Sequence, residues 1–69
     1  MTFSREKLSR RETDVLRELL TGKTNEAIGR ALFVTPDTVK AHLSRMYRKL
    51  GVSNRAEAAA VALRLGLAE

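Results

Sequence analysis

Four times in this 69-residue chain, a residue able to cap a helix precedes apolar residues spaced three and four apart, and little else punctuates the sequence. Ser9-Arg10-Arg11-Glu12 has the Ser-x-x-Glu spacing of a capping box, with Leu8 before it. Val15, Leu16, Leu19 and Leu20 follow on one side until Gly22, which predicts a first helix from about Ser9 to Thr21. Thr24 caps a short second segment in which Ala27, Ile28, Ala31 and Leu32 repeat at helical spacing and Phe33 and Val34 close the run. Thr35-Pro36-Asp37 supplies a cap, a proline where a helix needs no N–H, and an acid at the positive end of the helix dipole. A third helix therefore starts at Pro36 and runs through Leu50 to a left-handed stop at Gly51. Asn54 and Glu57 repeat the capping-box spacing, and the fourth helix they start is expected to end near Gly66. No stretch alternates apolar and polar residues of the β-branched and aromatic types that strands favour, so the class is all-α.

The length suits one small module, too short for a two-lobed enzyme with a buried cleft. With no cysteine there is neither a disulfide framework nor a thiolate metal site, and the single His42 assembles no metal cluster alone. No cofactor and no metal are expected. The composition fits a reducing compartment, and residues 1–11 contain no apolar run long enough for a signal peptide or membrane span, so a cytoplasmic protein without membrane contact is expected. Residues 1–7 show no periodicity and read as a flexible lead-in, with Phe3 available to pack back on the bundle, ahead of a domain spanning 8–67.

Thirteen Lys and Arg against eight Asp and Glu give a net charge of +5. An isoelectric point near 10.5 makes a polyanion the first partner to consider. The charge is concentrated. The segment from Thr35 to Leu50 carries four bases (Lys40, Arg45, Arg48, Lys49) and one acid (Asp37), a net +3. At about 100° per residue, Val39, Leu43, Met46 and Leu50 share one narrow arc, while Ala41, Ser44, Arg45 and Arg48 lie opposite, flanked by Lys40 and Lys49. A basic face is ordinarily a solvated one. Here the second and third helices are joined by only a few residues, the tight connection of a helix-turn-helix pair, and small residues sit in the middle of the basic face. Small side chains gain a solvated surface nothing, whereas a helix in the major groove needs low-profile positions near base edges and long cations for the phosphates on either wall.

The remaining candidates divide between packing and binding. His42 lies beside the apolar arc and has no nucleophile to serve, so it is assigned no chemistry. Tyr47 reads as a ring lying over the bundle, since a lone aromatic makes a poor platform for bases. Thr24 combines a cap with a place to orient amides toward a phosphate. In the fourth helix Ala58, Val61, Ala62 and Leu65 form the stripe a core needs, while Ala59, Ala60 and Leu63 fall on a second arc. Two apolar arcs suggest burial twice, once in the bundle and once against a second copy; the high helix propensity of alanine is the plainer explanation. No Ser-His-Asp or Cys-His set, phosphate-cradling glycine loop or paired acids occur, so the chain reads as a non-enzyme with no catalytic residues.

Leu8-Ser9-Arg10-Arg11-Glu12 with Val15-Leu16, then Gly22-Lys23-Thr24-Asn25-Glu26-Ala27-Ile28, then Thr38-Val39-Lys40-Ala41-His42-Leu43, and finally the run from Lys49 to Ala58, resemble the LuxR-type helix-turn-helix domain over about residues 8–67. The resemblance implies a four-helix domain that binds double-stranded DNA as a dimer and regulates transcription, often behind an N-terminal sensor or receiver domain. It places Lys40, Ala41 and Ser44 at base-contacting positions and Thr38, Arg45, Arg48 and Lys49 at phosphates, to which the capping position of Thr24 adds one more phosphate candidate. It also favours Ala59, Ala60 and Leu63 as a weak dimer contact. Ala27 and Gly29 stand where the family commonly has Glu and Ala, and Gly29 implies either a less rigid second helix or a closer backbone approach. The rival expectations are a sigma-factor-like module that touches promoter DNA only inside a larger assembly, and a basic domain that docks on an acidic protein.

Overall fold

A computed structural model of the chain describes residues 8–66. The described residues form four helices and no strand: α1 (Arg10–Leu20), α2 (Asn25–Leu32), α3 (Pro36–Leu50) and α4 (Arg55–Leu65). The expected lead-in at 1–7, the packing of Phe3 and the last residue of the 8–67 domain lie outside the described residues.

Each helix starts where its cap predicts. Ser9 and Glu12 close a full capping box: the Glu12 N–H donates to Ser9 Oγ at 3.0 Å and the Ser9 N–H donates to Glu12 Oε1 at 2.8 Å. Thr24 accepts from the Ala27 N–H at 3.2 Å, and Thr35 from the Thr38 N–H at 3.2 Å. Asn54 accepts from the Glu57 N–H at 2.9 Å, but Glu57 reaches back one residue further than a capping box requires and takes the Ser53 N–H at 2.7 Å. Gly51 and Gly66 end α3 and α4 in the left-handed conformation, and Gly22 has positive φ just past α1. α2 ends differently, on Phe33 at φ 62°.

The core is a single cluster drawn from all four helices and the residue before the cap of the first: Leu8, Val15, Leu16, Leu19, Ile28, Val39, Leu43, Met46, Leu50, Ala58 and Ala62. Fully burying a side chain such as Leu16, Ile28 or Met46 contributes about 1.5–3 kcal/mol each. In α3 the inward row is the expected one: Val39, Leu43, Met46 and Leu50 are all buried. Tyr47 packs half-buried against the cluster, as its position suggested.

The fourth helix departs from its expected stripe. Only Ala58 and Ala62 are buried; Val61 is half-buried and Leu65 is 45% exposed. Ala59, expected on the outer arc, is half-buried and packs against the chain's own core, whereas Ala60 and Leu63 are exposed. The physical reason is the alanines. With small apolar residues on every side of α4 the periodicity selects no face, and the helix turns its narrowest row, two alanines four residues apart, toward α1 and α3.

Gly29 resolves in favour of close approach. A Cβ at this buried position would stand 2.6 Å from the Val34 carbonyl oxygen, so the turn into α3 lies directly on the backbone of α2. The Val34 N–H completes the contact by donating to the Gly29 carbonyl at 2.9 Å.

Candidate nucleic-acid interface

α3 presents the residues that its sequence placed outward. Lys40, Ala41, Ser44, Arg45, Arg48 and Lys49 are all exposed. All but Lys49, which lies at the edge toward α1, share the side of a 15-residue helix whose opposite side is anchored in the core. Lys40, Ala41 and Ser44 fall at one- and three-residue steps, with the cations of Arg45 and Arg48 beyond them. Such a face offers two low side chains for approach to a flat surface and long cationic ones around them.

Two expected phosphate ligands have local partners. Thr38 is half-buried, and its hydroxyl lies 3.0 Å from that of Thr35, inside the cap of α3. The Lys49 ammonium donates to Glu12 Oε1 at 2.7 Å, a tie between helices across 37 residues of sequence. Glu12 is 2% exposed. Burial pushes its carboxyl up, but the Lys49 ammonium and the donors at Ser9 outweigh burial and hold it below the ordinary carboxylate value. Lys49 therefore keeps a buried acid ionised, a role that spacing along α3 does not reveal.

The start of α2 forms a second polar feature. Thr24 is exposed beside Lys23, whose ammonium is 2.7 Å from Glu18 and 3.1 Å from the Thr21 hydroxyl. Arg55, at the first position of α4, donates from Nη1 to the Lys23 carbonyl and from Nη2 to Asn25 Oδ1, both at 2.7 Å. Lys23, Thr24, Asn25 and Arg55 line an open cleft of about 430 Å³ with Gly22 and Glu26. The forked guanidinium fixes the first turn of α2 against the head of α4, since two parallel bonds define orientation as well as distance. Sequence reading missed Arg55 because its partners lie 30 and 32 residues away and no local pattern marks it.

The structure brings Lys40, Ala41, Ser44, Arg45 and Arg48 onto one face of α3 but not Thr38 or Lys49; it places Thr24 at the foot of α2 and Ala60 and Leu63 on exposed α4. His42 is half-buried beside Leu43, with its Nδ1 buried and without a hydrogen-bond partner, which suits packing rather than proton transfer. Among the described residues no group of acids, histidines or cysteines is arranged to hold a metal, and no helix is long and apolar enough to cross a membrane.

Residues 6–62 match the model of the luxR family of bacterial regulatory proteins. The chain is 51% identical over 57 residues to the probable transcriptional regulatory protein NarL of Mycobacterium tuberculosis (strain CDC 1551 / Oshkosh), which covers 83% of this chain and 26% of that protein. It is 47% identical over 60 residues to the transcriptional regulatory protein YhcZ of Bacillus subtilis (strain 168), covering 87% of this chain and 28% of that one. Its fold matches the crystal structure of the response regulator ChrA of a heme-sensing two-component system with a TM-score of 0.84 at 42% identity, over 87% of this chain and 30% of ChrA. The chain thus spans under a third of the length of these relatives. Its match to the family model, its level of identity and its four-helix architecture agree, and the chain belongs to the luxR family of bacterial regulatory proteins, a family of DNA-binding transcriptional regulators and not of enzymes.

Proposed function

We propose that this chain binds double-stranded DNA sequence-specifically as a dimer, with α3 in the major groove, and so regulates transcription. The observation that carries the reading is the division of α3 into a wholly buried row and an exposed basic face with small residues at its centre. Lys40, Ala41 and Ser44 meet base edges, and Arg45 and Arg48 meet phosphates on the groove walls. Thr24 adds a phosphate contact at the start of α2, where unpaired amides and the dipole favour an anion. Thr38 and Lys49 contribute chiefly through the cap of α3 and through Glu12. In a longer protein the domain is carried behind a sensor or receiver domain, as the length of its relatives and the response regulator ChrA suggest. It works in the cytoplasm, where its DNA is.

Lys40 supplies readout, being in the first turns of α3 where recognition helices reach base edges. Lys40→Ala is expected to cost about 1–3 kcal/mol on a duplex selected from a randomised pool and little on unselected DNA. Equal losses on both would demote Lys40 to a phosphate contact. Failure to select any duplex would leave the acidic-protein reading ahead.

Dimerisation falls to the exposed Ala60 and Leu63, with the half-buried Ala59 packed against the chain's own core. Leu63 is 71% exposed, so Leu63→Glu leaves the monomer folded while setting like charges across the two-fold axis. On a duplex with two inverted half-sites about 10 base pairs apart, the variant is expected to lose cooperativity and keep its affinity for one half-site. Cooperative binding equal to the parent's would remove α4 from the dimer contact, and a domain that never dimerises on DNA would favour the sigma-factor-like reading.

A further inference from the structure

We infer that Phe33, at the turn between α2 and α3, is an apolar DNA contact that packs on a thymine methyl group at the lip of the major groove. The inference rests on the DNA-binding reading of α3 and adds a residue outside its basic face.

Phe33 is the only residue other than glycine with positive φ among the described residues, at 62°. The other three helices are each followed by a glycine in that region, Gly22, Gly51 and Gly66. Left-handed backbone strains any side chain with a Cβ and costs glycine nothing, so folding alone favours glycine at position 33. A bulky residue there is offset when the ring is buried, but Phe33 is 93% exposed, the most exposed large apolar side chain described. The strain cannot relax, because the next residue is fixed on both sides. Its N–H donates to the Gly29 carbonyl at 2.9 Å, and its own carbonyl oxygen lies where a Cβ of Gly29 would stand. The chain thus carries a strained backbone and an exposed ring with no return inside the domain. A benefit outside it is the remaining source.

The position identifies the partner. Phe33 stands two residues before the cap of α3, at the end of that helix which enters the groove first. From Ala27 to Arg48 the exposed charges of α2 and α3 are Arg30, Lys40, Arg45 and Arg48 against the single acid Asp37, Lys49 beyond them being tied to Glu12, so the helices on either side of Phe33 favour a polyanion over an apolar partner. The apolar group that duplex DNA exposes in the major groove is the C5-methyl of thymine, a known complement of phenylalanine.

The test uses the 69-residue chain, a duplex selected by it from a randomised pool, and the same duplex with uracil in place of thymine. Phe33→Gly relieves the backbone and is expected to raise the melting temperature by about 4 °C; Phe33→Asn, which tolerates left-handed backbone, keeps a side chain at the turn. Both variants are expected to bind the thymine duplex about fourfold more weakly, as fits one methyl group no longer buried. Uracil substitution should cost the parent a similar factor and the variants almost nothing. Variants that bind as tightly as the parent, or a uracil penalty equal in all three proteins, overturn the contact and point the ring toward a protein partner. A parent that binds no duplex overturns the DNA reading itself, a result distinct from either.

Discussion

Raising the salt from 50 to 200 mM is expected to weaken the hold of one domain on duplex DNA by about twelve-fold, for a log–log slope near −0.9 per neutralised phosphate and about two phosphates. The two are assigned to Arg45 and Arg48, with Lys40 directed at bases and the uncharged Thr24 neutralising none. Two domains on adjacent half-sites double the exponent, and the loss then exceeds about a hundred-fold. Arg48→Ala is expected to flatten the slope by about one unit per domain while weakening all sequences alike. Anisotropy titrations at four or five salt concentrations measure both quantities. A slope near zero on every duplex would end the DNA-binding reading of α3.

Lys49→Met is expected to lower the stability of the domain by about 1–3 kcal/mol, since it leaves a buried carboxylate with the donors at Ser9 alone. That is a large share for a chain of this size, whose single core rarely supplies more than about 3–5 kcal/mol. The sign with pH follows from Glu12. Its folded pKa is held below the ordinary value, so its contribution is present above the unfolded pKa and is lost as the pH falls through the folded one. In the variant, burial is no longer outweighed by Lys49, and acid unfolding moves to higher pH. Glu12→Gln keeps the capping box, because glutamine also accepts from the cap N–H, and in combination with Lys49→Met it should cost less than the two changes summed. Urea unfolding at pH 7 and pH 4 checks the whole cycle. Unchanged stability in Lys49→Met, with a salt slope flatter by one unit, would return Lys49 to the phosphates.

Much of the architecture was legible because each helix announces itself locally. The pairs Ser9 and Glu12, Thr35 and Pro36, and Leu50 and Gly51 act within one turn of chain, so neighbouring residues carry the information. The outward face of α3 was legible for a related reason: a long helix with four large apolar residues in one row has only one way to bury them. α4 offered no such row, and reading it by period put Leu65 inward and Ala59 outward, the reverse of where they lie. Contacts that join distant segments left no trace in spacing. The Lys49 tie to Glu12 and the Arg55 fork on Lys23 and Asn25 depend on how helices cross, which no local pattern encodes. The left-handed Phe33 was hidden for a different reason, since its residue type argues against the conformation it adopts.

The division of α3 also bears on how such a domain changes its target. Lys40, Ala41, Ser44, Arg45 and Arg48 are all exposed, and none belongs to the core cluster or the residues packed on it. Exposed positions of this kind usually tolerate exchange within about 0.5 kcal/mol. Meanwhile the pose of the helix is set elsewhere, by its buried row and by the backbone contact between Gly29 and the turn. On the proposed reading of α3 as the DNA contact, a lineage, or an engineer, can therefore rewrite those five side chains in any order without passing through an unfolded intermediate, so the range of operators open to this scaffold is bounded by groove chemistry and not by foldability.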